Sequence, residues 1–187
     1  MKIGSFSPAI TEILYAFELE EDIVCRSAEC DFPEIVKQIP VWDGTLEHIE
    51  ELKPELLFFS GEGMEKIAEQ MQSNLYSSYW QNPQSINELY DSIRQLGLIL
   101  QCEKEAERLV LQMQQGFKEV KRRAGMLPRK ATVCFDLEET PGWLRELVQT
   151  AGGAYAETDG DIVVVAEGDT RIKTPAIKTL NPALVLR

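Results

Sequence analysis

Residues 42–59 read Trp42-Asp43-Gly44-Thr45-Leu46-Glu47-His48-Ile49-Glu50-Glu51-Leu52-Lys53-Pro54-Glu55-Leu56-Leu57-Phe58-Phe59, and this stretch decides the fold. An aromatic residue and a glycine end an extended segment, an acidic helix follows, and a proline stops that helix before an apolar run. Such a run is typical of a strand buried on both faces of a parallel sheet. Ligands of open α/β sheets bind beyond the carboxyl ends of the strands, so Trp42 and Glu47 are predicted to lie at that edge.

Short apolar strands and amphipathic helices alternate along the whole first part of the chain. Ser7 is a good helix cap, and Pro8 fits the first helical position because its missing N–H has no partner there. The alternation predicts an α/β fold with a parallel sheet. Strands are expected at 2–6, 23–26, 56–60 and 75–80, and helices after residue 7, at 45–52 and at 64–72.

A helical region follows this first lobe. Ser85-Ile86-Asn87-Glu88 fits a capping box, and helices are expected at 86–100 and 103–123. The second helix, of about 21 residues, gives a rod of roughly 31 Å, which is long enough to connect two lobes. A long crossover helix inside a single domain is the alternative that the pattern leaves open.

The β-α pattern then restarts in a smaller second part. Strands are expected at 131–136, 162–166 and 183–186, and helices at 143–151 and 175–180. We therefore predict an α/β protein with two parallel-sheet lobes joined by a long backbone helix, the C-terminal lobe being reduced. The predicted regions are an N-terminal lobe at 1–84, a helical segment at 85–127 and a C-terminal lobe at 128–187.

The charge balance restricts the partners. The chain has 19 Lys and Arg against 31 Asp and Glu, a formal net charge of −12. Because this charge repels phosphate backbones, no nucleic-acid partner is expected. Exposed carboxylates indicate either an ordinary solvated surface or docking onto a basic partner.

Targeting and membrane segments are not recognisable in this sequence. No apolar run reaches the roughly 18 residues of a transmembrane helix. The start of the chain lacks the apolar core of a signal peptide. As it stands, the chain is expected to be cytoplasmic, and extracytoplasmic if a leader was removed.

Patterns for catalysis or metal binding are scarce. His48 is the only histidine, which disfavours a zinc site and a catalytic triad. Glu138-Glu139 is a candidate carboxylate pair, but sequence neighbours rarely converge on one substrate, so a solvated loop is preferred. The four cysteines have no CxxC spacing and are expected to be buried free thiols. We expect no catalytic residue, no metal site and no cofactor.

The three tryptophans stand at predicted element boundaries. Trp42 and Trp80 end extended segments, and Trp143 opens a helix. Large amphipathic rings at strand ends suit a flat, partly apolar ligand. For each ring, capping of a sheet edge is the alternative.

Four stretches of the sequence together resemble one known family. Ser7 to Leu14 is similar to its opening S-P-x-x-T-E-I-L, and Asp31-Phe32-Pro33 to its Asp-aromatic-Pro. Residues 42–57 are similar to its G-x-x-x-x-x-E-x-I-x-x-L-K-P-D-L-V, and residues 143–153 to a W-L helix that ends in A-G-G. The chain thus resembles the cobalamin- and siderophore-binding branch of the helical-backbone, class III, substrate-binding proteins of ABC transporters.

The resemblance implies one ligand held in a cleft between two lobes, with cobalamin or another tetrapyrrole-sized molecule first and an iron-siderophore second. It also implies a docking carboxylate for an ABC transporter permease at Glu47. The matching position of the second lobe holds Gln149, and Glu146 is the nearest substitute. The predicted ligand-binding residues are Ser7, Pro8, Phe32, Trp42, Gly44, Gly61, Trp80 and Trp143.

We therefore favour a non-enzymatic binding protein linked to ABC-type uptake. One alternative is a degenerate family member that binds a protein partner instead. The other is a chelatase-like enzyme, which the single histidine disfavours because metal insertion needs a base and a metal ligand.

Overall fold

A computed structural model of the chain describes residues 1–61, 63–126, 130–136, 140, 142–166 and 177–180. The chain forms two compact units, Met1–Asn82 and Pro83–Val185. Each unit contains one four-stranded parallel sheet. The predicted α/β class with parallel sheets is therefore confirmed.

The first unit contains strands β1 to β4 in the spatial order β2-β1-β3-β4. The chain leaves β1 towards one side for β2 and returns to the other side for β3, so the winding reverses between β1 and β3. The strands are β1 Ile3–Phe6, β2 Ile23–Arg26, β3 Leu56–Ser60 and β4 Ser78–Gln81. The helices are α1 Pro8–Ala16, α2 Leu46–Leu52 and α3 Met64–Ser73, with 3-10 turns at Glu20–Asp22 and Glu34–Gln38.

The central strands of this sheet are covered on both faces. On one face Phe6 and Phe59 pack in a cluster with Ile49 of α2 and Met71 of α3. On the other face α1 crosses β1 and β3, and Ser5 of β1 hydrogen-bonds Thr11 of α1. Burial on both faces explains why β3 is an uninterrupted apolar run.

The second unit contains strands β5 to β8 in the order β6-β5-β7-β8. Its helices are α4 Ile86–Leu100, α5 Glu103–Ala124 and α6 Gly142–Thr150. Its strands are β5 Thr132–Asp136, β6 Ala154–Tyr155, β7 Ile162–Ala166 and β8 Ile177–Leu180. The helix predicted at 175–180 is wrong over 177–180, where β8 pairs in parallel with β7. Six residues are too few to form a stable helix on their own, and the edge of β7 offers hydrogen-bond partners to the backbone of this segment. The predicted strand at 183–186 lies outside the described residues.

Helix α5 has 22 residues, in agreement with the long helix expected from the sequence. It packs against α4 through a buried apolar stripe, and α5 carries Ala106, Leu109, Val110 and Met113 on this stripe. No helix of the described ranges is long and apolar enough to cross a bilayer.

The two helices approach most closely at Gly97 of α4. A Cβ at this position would lie 2.5 Å from Cβ of Ala106 and 3.2 Å from the carbonyl oxygen of Cys102. Gly116, in the middle of α5, has open space around the same position.

We predict that Gly97→Ala destabilises the protein by about 1–3 kcal/mol, because the methyl group forces α4 and α5 apart. Gly116→Ala is the matched control and is expected to raise the free energy of unfolding by up to about 1 kcal/mol, the difference in helix propensity. Urea unfolding followed by circular dichroism measures both. Equal stability of the two variants would contradict the close packing at Gly97.

Candidate functional site

The carboxyl ends of β1 to β4 meet at one edge of the first unit, here called the N-terminal sheet edge. It is formed by the strand ends at Phe6, Arg26, Ser60 and Gln81 and by the residues that follow them. The winding reversal between β1 and β3 lies at this edge, and ligands of open α/β sheets bind at such a point.

Two predicted residues stand directly at the reversal. The Ser7 hydroxyl caps α1 by accepting a hydrogen bond from the Ile10 N–H at 3.3 Å, and it also hydrogen-bonds the Ser60 hydroxyl. Pro8 occupies the first turn of α1. The ends of β1 and β3 are therefore joined by a side-chain hydrogen bond.

A row of four aromatic rings crosses the sheet beside this edge. Strand register aligns Phe6 with Phe59 and Phe59 with Trp80. The rings of Phe6 and Phe59 stack with centroids 5.0 Å apart, and the Trp42 ring lies 4.8 Å from that of Phe6. The two phenylalanines are buried, whereas Trp42 and Trp80 at the ends of the row are half-buried.

Both indoles of the row are fixed by hydrogen bonds. Nε1 of Trp42 donates to the carbonyl oxygen of Thr45 at 2.8 Å, and Nε1 of Trp80 donates to that of Gly61 at 2.9 Å. Gly44 and Gly61 have φ angles of +89° and +91°, which favour glycine and turn the chain beside each indole. The rings thus cap the sheet, and each keeps part of its surface in solvent.

Arg26, at the end of β2, is a residue whose role sequence reasoning missed. Its side chain is buried, and its guanidinium donates to five carbonyl oxygens of the segment that follows, those of Ser27, Ala28, Cys30, Lys37 and Ile39, at 2.9–3.4 Å. The Arg26 carbonyl oxygen in turn accepts a hydrogen bond from the Trp42 N–H at 2.8 Å. Arg26 therefore holds the segment that carries Phe32 and anchors Trp42. The signal in the sequence was a single arginine at the end of an apolar strand.

A buried hydroxyl and thiol network supports the same segment. The Ser5 and Thr11 hydroxyls are 2.8 Å apart, and the Thr11 hydroxyl donates to Sγ of Cys30 at 3.1 Å. Sγ of Cys30 is also 3.6 Å from the carbonyl oxygen of Ser5, to which it donates. This network ties the loop after β2 to β1 and α1.

The cysteines are free thiols, as expected. Cys25, Cys30 and Cys134 are buried, and Cys102 is half-buried. Burial raises the pKa of the Cys25 thiol to about 12, so this thiol is neutral at physiological pH.

A capped turn joins Trp42 to α2. The Thr45 hydroxyl accepts from the His48 N–H at 3.2 Å and donates to Oδ1 of Asp43 at 2.7 Å. The hydroxyl and the N–H of Thr45 hold the pKa of the Asp43 carboxyl below its usual range. His48 is half-buried, and its Nδ1 accepts a hydrogen bond from the Asp43 N–H at 3.3 Å.

The described ranges contain no group of three or more His, Cys, Asp or Glu side chains that could hold a metal ion. Glu138-Glu139, the candidate carboxylate pair, lies outside them.

The remaining predicted residues fall on three elements. Glu47 is exposed in the first turn of α2, and Phe32 is half-buried in the segment after β2. Trp143, Glu146 and Gln149 lie on α6 of the second unit. There the Glu146 carboxylate accepts from the Ile86 N–H at 3.1 Å, at the start of α4, and Gln149 is exposed. The structure thus brings Ser7, Trp42, Gly61 and Trp80 to one edge, and the roles of the α6 residues stay predictions.

We predict that Arg26→Lys lowers the free energy of unfolding by about 2–4 kcal/mol. The single ammonium of lysine cannot donate to all five carbonyl oxygens that the planar guanidinium bonds at the same time. Urea unfolding measures this loss. The control is Arg123→Lys, whose side chain is 74% exposed, with an expected change within about 0.5 kcal/mol. Equal stability of the two variants would show that Arg26 does not organise the segment.

Comparison with known proteins agrees with the fold and with the four motif stretches. Residues 3–158 match the family model described as Periplasmic binding protein. The chain is 24% identical to the uncharacterized ABC transporter substrate-binding lipoprotein YvrC of Bacillus subtilis, over 96% of this chain and 63% of that protein. It is 29% identical to the vitamin B12-binding protein of Pectobacterium atrosepticum, over 64% of this chain and 44% of that protein.

A solved structure shows the same fold at low sequence identity. Staphylococcus aureus IsdE complexed with heme superposes with a TM-score of 0.74 and 15% identity, over 98% of this chain and 90% of IsdE. The chain spans about 43% to 63% of the length of the curated relatives that it matches. The family match over residues 3–158 confirms the resemblance found in the sequence, and the chain belongs to the periplasmic binding protein family.

Proposed function

We propose that the protein binds a tetrapyrrole-sized ligand at the N-terminal sheet edge without changing it chemically. A corrinoid is the first candidate and an iron-siderophore the second. The proposal is carried by one observation: the winding reversal at β1 and β3 is flanked by two half-buried indoles of fixed orientation, Trp42 and Trp80. The family is one of binding proteins, and the relative from Pectobacterium atrosepticum is named for vitamin B12.

The chemistry of this edge suits a large ring. An aromatic ring that is already held in place loses little conformational entropy when a ligand covers its exposed part. Phe32 adds a third half-buried ring, on the segment held by Arg26.

We also propose that binding serves ABC-type uptake. The Bacillus subtilis relative is described as an ABC transporter substrate-binding lipoprotein. Glu47 is exposed in the first turn of α2 and is the proposed docking carboxylate for a permease. If a leader precedes this chain, this function is exercised outside the cytoplasm.

Titration with cyanocobalamin, followed by quenching of tryptophan fluorescence, tests the proposal. Because an aromatic contact is worth about 1 kcal/mol beyond the area that it buries, Phe32→Ala is expected to weaken binding at least about tenfold. Phe117→Ala is the matched control, since this half-buried ring packs against Tyr90 on α4, and its affinity should equal that of the unchanged protein.

Two results would contradict the proposal. The first is the absence of quenching by cyanocobalamin, by hemin and by a ferric siderophore at tens of micromolar, which is the result expected of a module that binds only protein. The second is an equal loss of affinity in both phenylalanine variants, which would place the ligand elsewhere.

A further inference from the structure

Gln81, the last residue of β4, carries a buried polar atom without a partner. Only 7% of the residue is exposed, and Oε1 of its side chain has no hydrogen-bond partner among the described residues. It is the only such side-chain atom found in those ranges. Buried polar atoms in native proteins are nearly always hydrogen-bonded, so an unpaired side-chain oxygen at the end of a strand is unusual.

None of the described donors at this edge bonds the side-chain oxygen of Gln81. The Gly61 N–H donates to the main-chain oxygen of Gln81 at 3.1 Å, and the Trp80 indole N–H donates to the Gly61 oxygen. Ser60, which is paired with Gln81 in the strand register, shares a hydroxyl hydrogen bond with Ser7. The Gln81 oxygen accepts from none of these groups, so it is left for a donor from outside the described residues.

The negative charge of the first unit, and of one long connection at this edge, favours a ligand that donates hydrogen bonds. Residues 1–82 contain five Lys and Arg against 16 Asp and Glu, a net charge of −11. In the connection from β2 to the start of α2, residues 27–47, there are five carboxylates and only Lys37 as a cation. Lys37 pairs with Glu34 at 2.9 Å, and the guanidinium of Arg26 is used by backbone carbonyls.

The helix N-termini at this edge compensate for this charge only in part. In the first turn of α1, Pro8 has no N–H and the Ile10 N–H is bonded to the Ser7 hydroxyl. The first turn of α3 carries the carboxylate of Glu65 beside the ammonium of Lys66, and its N-cap residue Gly63 makes no side-chain hydrogen bond. A ligand with several carboxylates would thus meet a net excess of negative charge.

We infer that Gln81 is a ligand contact whose buried side-chain oxygen accepts a hydrogen bond from an N–H donor on the rim of the ligand. The site thereby selects an amide-bearing corrinoid over a tetrapyrrole that carries carboxylates. This inference rests on the proposed function. It adds the chemical class of the ligand and the residue that recognises the ligand's amide groups.

Three variants of the full chain test the inference with cyanocobalamin, whose rim carries primary amides, and hemin, whose rim carries two carboxylates. Gln81→Leu removes the acceptor, Gln81→Glu keeps an acceptor, and Gln70→Leu makes the same change as the first on the exposed surface of α3. The unchanged protein should bind cyanocobalamin at least about tenfold more tightly than hemin.

Gln81→Leu should lose about tenfold in cyanocobalamin affinity and little in hemin affinity, so the ratio of cyanocobalamin affinity to hemin affinity falls. Gln81→Glu should keep cyanocobalamin binding within about threefold, and Gln70→Leu should behave as the unchanged protein. The midpoint of thermal unfolding of ligand-free Gln81→Leu should be equal or higher, because an apolar side chain replaces an unpaired acceptor. That midpoint separates a lost contact from a damaged fold.

The inference is overturned if Gln81→Leu leaves the ratio of the two affinities unchanged, or if Gln81→Glu loses as much as Gln81→Leu. In both cases the proposed function survives, since the unchanged protein still binds. If the unchanged protein binds hemin as tightly as cyanocobalamin, the selectivity is refuted. If it binds neither ligand, the corrinoid proposal fails and the inference fails with it.

Discussion

The guanidinium of Arg26 is the interaction on which the N-terminal sheet edge depends. A charge buried at the end of a strand is costly unless its donors are satisfied, and here they are satisfied by five carbonyl oxygens of a single segment. The same contacts fix the course of a segment that otherwise has only one 3-10 turn, Glu34–Gln38. Because the Arg26 carbonyl oxygen also accepts a hydrogen bond from the Trp42 N–H, this one residue fixes the course of the segment and anchors the backbone that carries the Trp42 indole.

Two further sets of contacts stabilise the N-terminal sheet edge. The ring of Trp42 packs on Phe6, and the aromatic row continues to Trp80, so the indoles lie on a buried apolar base. The hydroxyls of Ser7 and Ser60 join β1 and β3 at the reversal. A site built in this way is largely formed before a ligand arrives, which reduces the entropy lost on binding. Gln81 differs from the other residues of this edge, because its buried side-chain oxygen has no hydrogen-bond partner in the described residues.

Much of the fold could be predicted where it depends on local pattern. The segment 42–59 was predicted as a helix up to Leu52 and a strand from Leu56, and both bounds agree with the structure, because Thr45 caps α2 and Lys53 ends it with a φ of +51°. Predictions that depend on distant contacts were less successful. The strand at 177–180 forms because β7 offers it an edge, and the role of Arg26 depends on carbonyl groups up to 13 residues away. No local pattern distinguishes Gln81 from any other polar residue at the end of a strand.

Hydrogen exchange with and without cyanocobalamin would show whether the ligand binds at the N-terminal sheet edge. Ligand contact slows the exchange of amides that it covers or orders. We expect slower exchange in residues 27–45 and 79–82 at saturating cyanocobalamin, and unchanged exchange in the middle of α5 at residues 108–116. Unchanged exchange in both edge segments of a protein that demonstrably binds the ligand would contradict binding at this edge.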